Sequence, residues 1–200
     1  MKHAFYRIVI FILLLPLSVF GQDNWNLVKE EDGVKIYTKP EPGSAYRAFK
    51  GEMLVNCRIE DIIEVLKNTK NINNWVANCK DIKLLKTEGF NQYYYIETSL
   101  PWPFENRDMV YHYQYVQVRS GQVRINVTGI PDYIEPRDGI VRLEKAGGYW
   151  LLTSANTNQV MVTYQMHMEP GGMVPSWLAN SYIHNVPFST FRGLRNLVQK

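Results

Sequence analysis

YYYIETSLPWPFENRDMVYHYQYVQV, residues 93–118, is the stretch from which the fold is read. In its second half Tyr111, Tyr113 and Tyr115 alternate with His112, Gln114 and Val116. That is the two-residue period of a strand with one buried face. Tyr93–Ile96 is a strand of the same kind, and Pro101 and Pro103 interrupt the chain between the two. Consecutive strands joined so briefly pair antiparallel. If Tyr94 and Tyr113 point inward, alternation puts Ile96 with the first and Arg107, Met109, Tyr111 and Tyr115 with the second. A wall of tyrosines suits a binding cavity, because each ring is apolar while its hydroxyl meets a head group or an ordered water. The same rings would serve equally well as plain core.

Working outward, the same period recurs at Gly33–Thr38, Tyr46–Val55, Ile82–Leu85, Val123–Val127, Ile140–Glu144 with Tyr149–Leu152, and Val160–Met168. Between the second and third of these, Ile59, Ile62, Ile63, Leu66, Ile72 and Trp75 recur every three or four residues. This predicts a helix, or two short ones broken near Asn71. After Gly171 and Gly172, the segment Pro175–Val198 carries Trp177, Leu178, Tyr182, Phe188, Phe191, Leu194 and Val198 on roughly one helical face, with a kink expected at Pro187. The fold expected is α+β: a curved antiparallel sheet wrapped around a long C-terminal helix. One helix cannot fill the concavity of such a sheet, so an internal hydrophobic cavity follows from the shape. Trp177 and Tyr182 are expected to face it, with Pro187 as the point about which the helix bends.

The chain begins with Lys2 and Arg7, followed by the apolar run Ile8–Phe20. The run is shorter than the roughly 20 residues that span a bilayer, and Val19 and Gly21 supply the small residues that a cleavage site after Gly21 needs. Residues 1–21 are therefore read as a signal peptide and 22–200 as one exported domain, periplasmic or secreted. The whole chain has 22 Lys+Arg against 19 Asp+Glu, and loss of Lys2 and Arg7 leaves 20 against 19, a balance that argues against nucleic acid as a partner. Cys57 and Cys79 are the two cysteines. An exporting route would allow a disulfide between them, and two separate buried thiols are the alternative.

Leu100-Pro101-Trp102-Pro103-Phe104-Glu105-Asn106-Arg107-Asp108, after a tyrosine-rich strand, resembles the mid-domain motif of the StAR-related lipid-transfer (START) family. Trp25-Asn26-Leu27 with Asp32–Tyr37 resembles that family's first helix and strand. Trp75 stands where its members carry a tryptophan closing the second helical segment, and Pro170–Asn180 resembles the turn into the C-terminal helix. The resemblance implies a helix-grip fold, a hydrophobic tunnel lidded by the C-terminal helix, and one lipid bound per domain. Aligned from Arg107-Asp108, the positions where sterol-carrying relatives bury a Glu and an Arg fall on Tyr94 and Tyr113. Both charges are absent together, as expected when loss of one alone would strand the other.

Arg107 and Asp108 are adjacent and face opposite sides of a strand, so they are poor partners for each other. Arg107 either orients a ligand or holds the turn after Phe104, and Arg142 reads as a surface charge. The indole of Trp102 is expected to pack under the sheet edge, the alternative being a brief contact with a membrane surface. The stretch Gly129–Gly139, with Tyr133, is a candidate gate. His112, His167 and His184 lack partners at metal-ligand spacing, and no nucleophile or phosphate-binding motif is present. The expectation is a monomeric carrier of a lipid or other hydrophobic small molecule, with no cofactor and no catalysis. Competing readings are a cyclase- or hydrolase-like enzyme using Tyr113, His112 or Arg107, and an envelope interaction module. The candidate ligand-binding residues are Trp75, Tyr94, Ile96, Arg107, Met109, Tyr111, Tyr113, Tyr133, Trp177 and Tyr182.

Overall fold

Asp32 and Gly33 both take positive φ, 50° and 68°. A two-residue turn of this kind has the twist a hairpin needs, and it joins β1 (Asn26–Glu31) to β2 (Val34–Lys39). The computed structural model describes residues 24–199, with the side chain of Asn71 left aside. The signal peptide expected at residues 1–21 lies outside them. Within them follow β3 (Ala48–Val55), α1 (Ile59–Lys67), a 3₁₀ turn (Thr69–Asn74), β4 (Cys79–Glu88), β5 (Asn91–Thr98), β6 (Asn106–Arg119), β7 (Gln122–Gly129), β8 (Ile140–Arg142), β9 (Lys145–Asn156), β10 (Gln159–Glu169), α2 (Ser176–Tyr182) and α3 (Asn185–Val198).

The strands form one sheet in the order β1-β2-β3-β10-β9-β7-β6-β5-β4, and β8 adds to β6 in parallel. Directly opposed residues share a face, so the register shows what looks inward. One row runs Tyr115, Ile125, Trp150, Tyr164, Gly51, Ile36 across six strands. The next rows hold Tyr94 opposite Tyr111 and Ile96 opposite Met109. This is the face that strand alternation assigns to the interior.

α3 lies against it, and glycines make the contact close. A Cβ on Gly51 would sit 2.0 Å from the Phe191 ring, and one on Gly193 would sit 2.4 Å from the carbonyl oxygen of Trp75. Phe191 and Leu194 are fully buried as a result. The molecule is thus an α+β structure, a large antiparallel sheet closed by its C-terminal helix. No helix among the described residues is long and apolar enough to cross a membrane.

Four local expectations are corrected. Trp25–Leu27 leads into the strand β1 instead of a helix, because the Asp32-Gly33 turn folds it onto β2. The first helical segment breaks at Asn68, before Asn71. Asn68 is extended, its N–H caps the carbonyls of Glu64 and Val65, and its side chain accepts from the Lys70 N–H. The C-terminal helix is interrupted at Ile183–His184 and continues through Pro187, which falls in the first turn of α3, where a missing N–H costs nothing. Ile140–Arg142 pairs in parallel with β6, and the strand expected at Tyr149–Leu152 is the middle of the longer β9.

Candidate functional site

Under α3 the inward rows bring aromatic rings together. Trp150 and Tyr164 stack with centroids 3.8 Å apart, and Phe49 meets Tyr164 edge-on at 5.2 Å. Tyr94 meets Tyr113 edge-on at 5.1 Å. The fold surrounds Tyr113 and Tyr164 so closely that loss of solvation holds both hydroxyls far above the ordinary tyrosine range. Each nevertheless keeps accessible surface.

The tyrosines of this face are neutral. Burial raises the hydroxyls of Tyr111 and Tyr115 and pushes Tyr94 up to about 12, against the lowering effect of its Tyr115 neighbour. Among the described residues the buried indole nitrogen of Trp150 lacks a hydrogen-bond partner. The Tyr115 hydroxyl is bonded to the Tyr94 hydroxyl, which in turn donates to Gln92 Oε1 at 2.7 Å. Buried donors are nearly always satisfied, so the Trp150 N–H is the donor that an added acceptor on this face would satisfy. Among the described residues no cluster of His, Cys, Asp or Glu could hold a metal.

The structure brings together Tyr94, Ile96, Met109, Tyr111 and Tyr113 on one face, with Tyr94 and Met109 almost completely covered. Trp75 is buried beside them, with its backbone against α3 at Gly193. Arg107 shares the face, but its guanidinium donates to the carbonyls of Glu105 (2.5 Å), Pro170 (2.6 Å) and Gly171 (3.3 Å). It clips the β5–β6 connection to the turn after β10.

Other candidates lie elsewhere. Tyr133 stacks on Tyr93, which stacks on His112, and strand alternation puts this column on the convex face, outside the cavity. Trp177 and Tyr182, expected to face inward, are 71% and 54% exposed, because α2 buries none of its residues. Trp102, expected under the sheet edge, is 92% exposed. Cys57 and Cys79 are free and buried, so they are separate thiols and not a disulfide.

Sequence reasoning missed two features. Trp150 and Tyr164 lie on strands it recognised, but without the register nothing chose the face on which they fall. Arg142, read as a surface charge, binds the carboxylate of Asp108 through two nitrogens, at 2.7 and 3.2 Å, and Asp108 is completely buried. Its remaining N–H groups donate to the carbonyls of Pro131, Ile134 and Glu135. The expected gate, Gly129–Gly139, is thereby pinned to the sheet at Pro131, Ile134 and Glu135.

The START domain family model matches residues 19–200. An uncharacterized protein of Pseudomonas aeruginosa is 34% identical over 97% of this chain and 99% of its own length. Human phosphatidylcholine transfer protein is 25% identical over 82% of this chain and 78% of its own. The crystal structure of a STAR-related lipid transfer protein fragment from Xanthomonas axonopodis superposes with a TM-score of 0.83, at 38% identity, over 89% of this chain and all of that one.

Proposed function

Because the chain belongs to the START domain family, we propose that it binds one lipid or other apolar small molecule in the space walled by Tyr94, Tyr111, Tyr113, Tyr115, Trp150 and Tyr164, and carries it. The observation that carries this reading is the set of tyrosine and tryptophan rings that the strand register gathers on the sheet's inward face. Burial of an alkyl chain supplies affinity without chemistry, at roughly 0.8 kcal/mol per methylene before the costs of association. The orphan donor of Trp150 suits a ligand with an ester, carbonyl or hydroxyl oxygen.

Loading takes place at a membrane surface, through one end of the molecule. Trp102 on the β5–β6 connection, Met173 on the turn after β10 and Trp177 at the start of α2 are 92%, 93% and 71% exposed. Arg107 ties the first two segments together. Aromatic side chains of this kind settle at the membrane–water boundary. With the leader-like residues 1–21, this describes a carrier working outside the cytoplasm.

The test is native mass spectrometry of the protein purified from its own compartment, followed by extraction and identification of the bound molecule. A stoichiometric lipid is expected. An empty protein that takes up neither a fluorescent fatty-acyl nor a sterol probe would sink the reading.

A further inference from the structure

β6 outruns β5: the last pairing of the two is Asn91 opposite Gln114, and the Tyr115 N–H donates to the Phe90 carbonyl where the β4–β5 hairpin turns away. Beyond that point a groove of about 510 Å³ opens, lined by Ile63 and Lys67 of α1, Phe90, Asn91, Val123 and the β6 residues Gln114–Gln117. Its lining carries one charge, that of Lys67. The Lys67 ammonium stands 4.7 Å over the centre of the Tyr115 ring, and among the described residues no carboxylate lies within ion-pair distance of it. Tyr115 belongs to both sides of this wall. The residue lines the groove, while its buried hydroxyl bonds that of Tyr94 on the sheet's inward face.

We propose that this groove is a second mouth of the lipid cavity, with the Tyr115 ring as its plug and Lys67 as the cation that holds the carboxylate or phosphate of a single-chain anionic amphiphile. The chemistry follows from the parts. Ile63, Phe90, Val116 and Val123 offer an apolar path. A gap one phenol ring wide passes one alkyl chain and not a glycerol carrying two. A solitary cation at the lip favours an anionic end, and moving off the ring face costs it only a weak cation–π contact. Glu60 and Glu64 line the neighbouring depression, which shares Ile63 and Lys67 with this groove, and neither forms an ion pair with Lys67 among the described residues. The Asn68 N–H caps the last helical carbonyls, of Glu64 and Val65, which reduces the negative end of α1.

The proposal rests on the lipid-binding reading, and its test separates the two. Dodecanoate, dodecyl phosphate and dodecanol are titrated into the protein at low salt. Both anions, or the one whose head group is the natural one, are expected to bind about tenfold more tightly than dodecanol, which corresponds to about 1.4 kcal/mol. Lys67→Gln removes that preference and leaves dodecanol affinity unchanged, whereas Lys83→Gln, on the exposed edge of β4, changes neither. Tyr115→Ala raises the rate of dodecanoate uptake several-fold. A preference for dodecanoate over dodecyl phosphate assigns a fatty acid, and the reverse assigns a phosphomonoester. Equal affinities for all three, or a preference that survives Lys67→Gln, overturns the second mouth while leaving the carrier intact. Binding of none of them overturns both.

Discussion

Asp108 and Arg142 show how much one residue pair holds in place. The carboxylate is buried, the guanidinium meets it through two nitrogens, and the same guanidinium pins residues 130–139. Removing one member leaves the other charge uncompensated, so Asp108→Asn is expected to destabilise the fold by about 3 kcal/mol, read by urea denaturation. The two thiols give a second prediction at this scale. Burial, reinforced by Asp61 beside Cys57 and Asp81 beside Cys79, pushes each up to about 11. At pH about 8 both are protonated and shielded, so a thiol reagent should label neither in the folded protein and both after unfolding. Labelling of native protein, or none after unfolding without reductant, would contradict the free-thiol structure. What the sequence discloses at this scale is periodic: Tyr94, Ile96, Met109, Tyr111 and Tyr113 share a face because alternation requires it. Arg142 and its partner are 34 residues apart and obey no period, and the pairing exists only once β8 lies beside β6.

At the scale of elements, the contact between α3 and the rest is set by what is absent. Gly193 lets the helix approach the Trp75 backbone, and Gly51 makes room for the Phe191 ring. Gly193→Ala would gain about 1 kcal/mol of helix propensity in isolation. Here the added methyl meets backbone atoms at 2.4 and 2.8 Å that cannot move aside, so the variant should be less stable than the parent by about 1–3 kcal/mol. A thermal melt showing stabilisation would mean that α3 is not seated as described. The amphipathic pattern announces that α3 is a helix and that Phe191 and Leu194 face inward. It places the break at Pro187 because a proline in mid-helix is disruptive, whereas the chain uses this one inside a first turn, where no donor is required. A start signal and a break signal are the same residue until the cap is known.

For the whole molecule, the two ends of the sheet differ. One carries Trp102, Met173 and Trp177 on segments that side-chain and backbone bonds hold together: Arg107 reaches Glu105 and Pro170, Tyr46 donates to the Val174 carbonyl, and Asn180 bonds residues 45 and 47. Trp102→Ala should slow transfer of a fluorescent lipid between vesicles while leaving equilibrium binding unchanged. Because its side chain is 92% exposed, the fold should tolerate the change, with the melting temperature intact. Unaltered transfer rates would remove this end as the membrane contact. The overall curvature and closing helix are legible in the order of periods along the chain. The outward stance of α2 is not, since an amphipathic stripe reads identically whether its rings enter a cavity or meet a bilayer.

The strand order begins at β1 and ends at β4, and no pairing joins the two. A closed barrel has its girth fixed by strand number and stagger. This sheet has no such constraint: its circumference is set by the grip of side chains on α3, which yields more readily than a ring of backbone bonds. If the protein carries a lipid as proposed, an open sheet of this kind selects its cargo by length and by the polarity of its ends more sharply than by thickness.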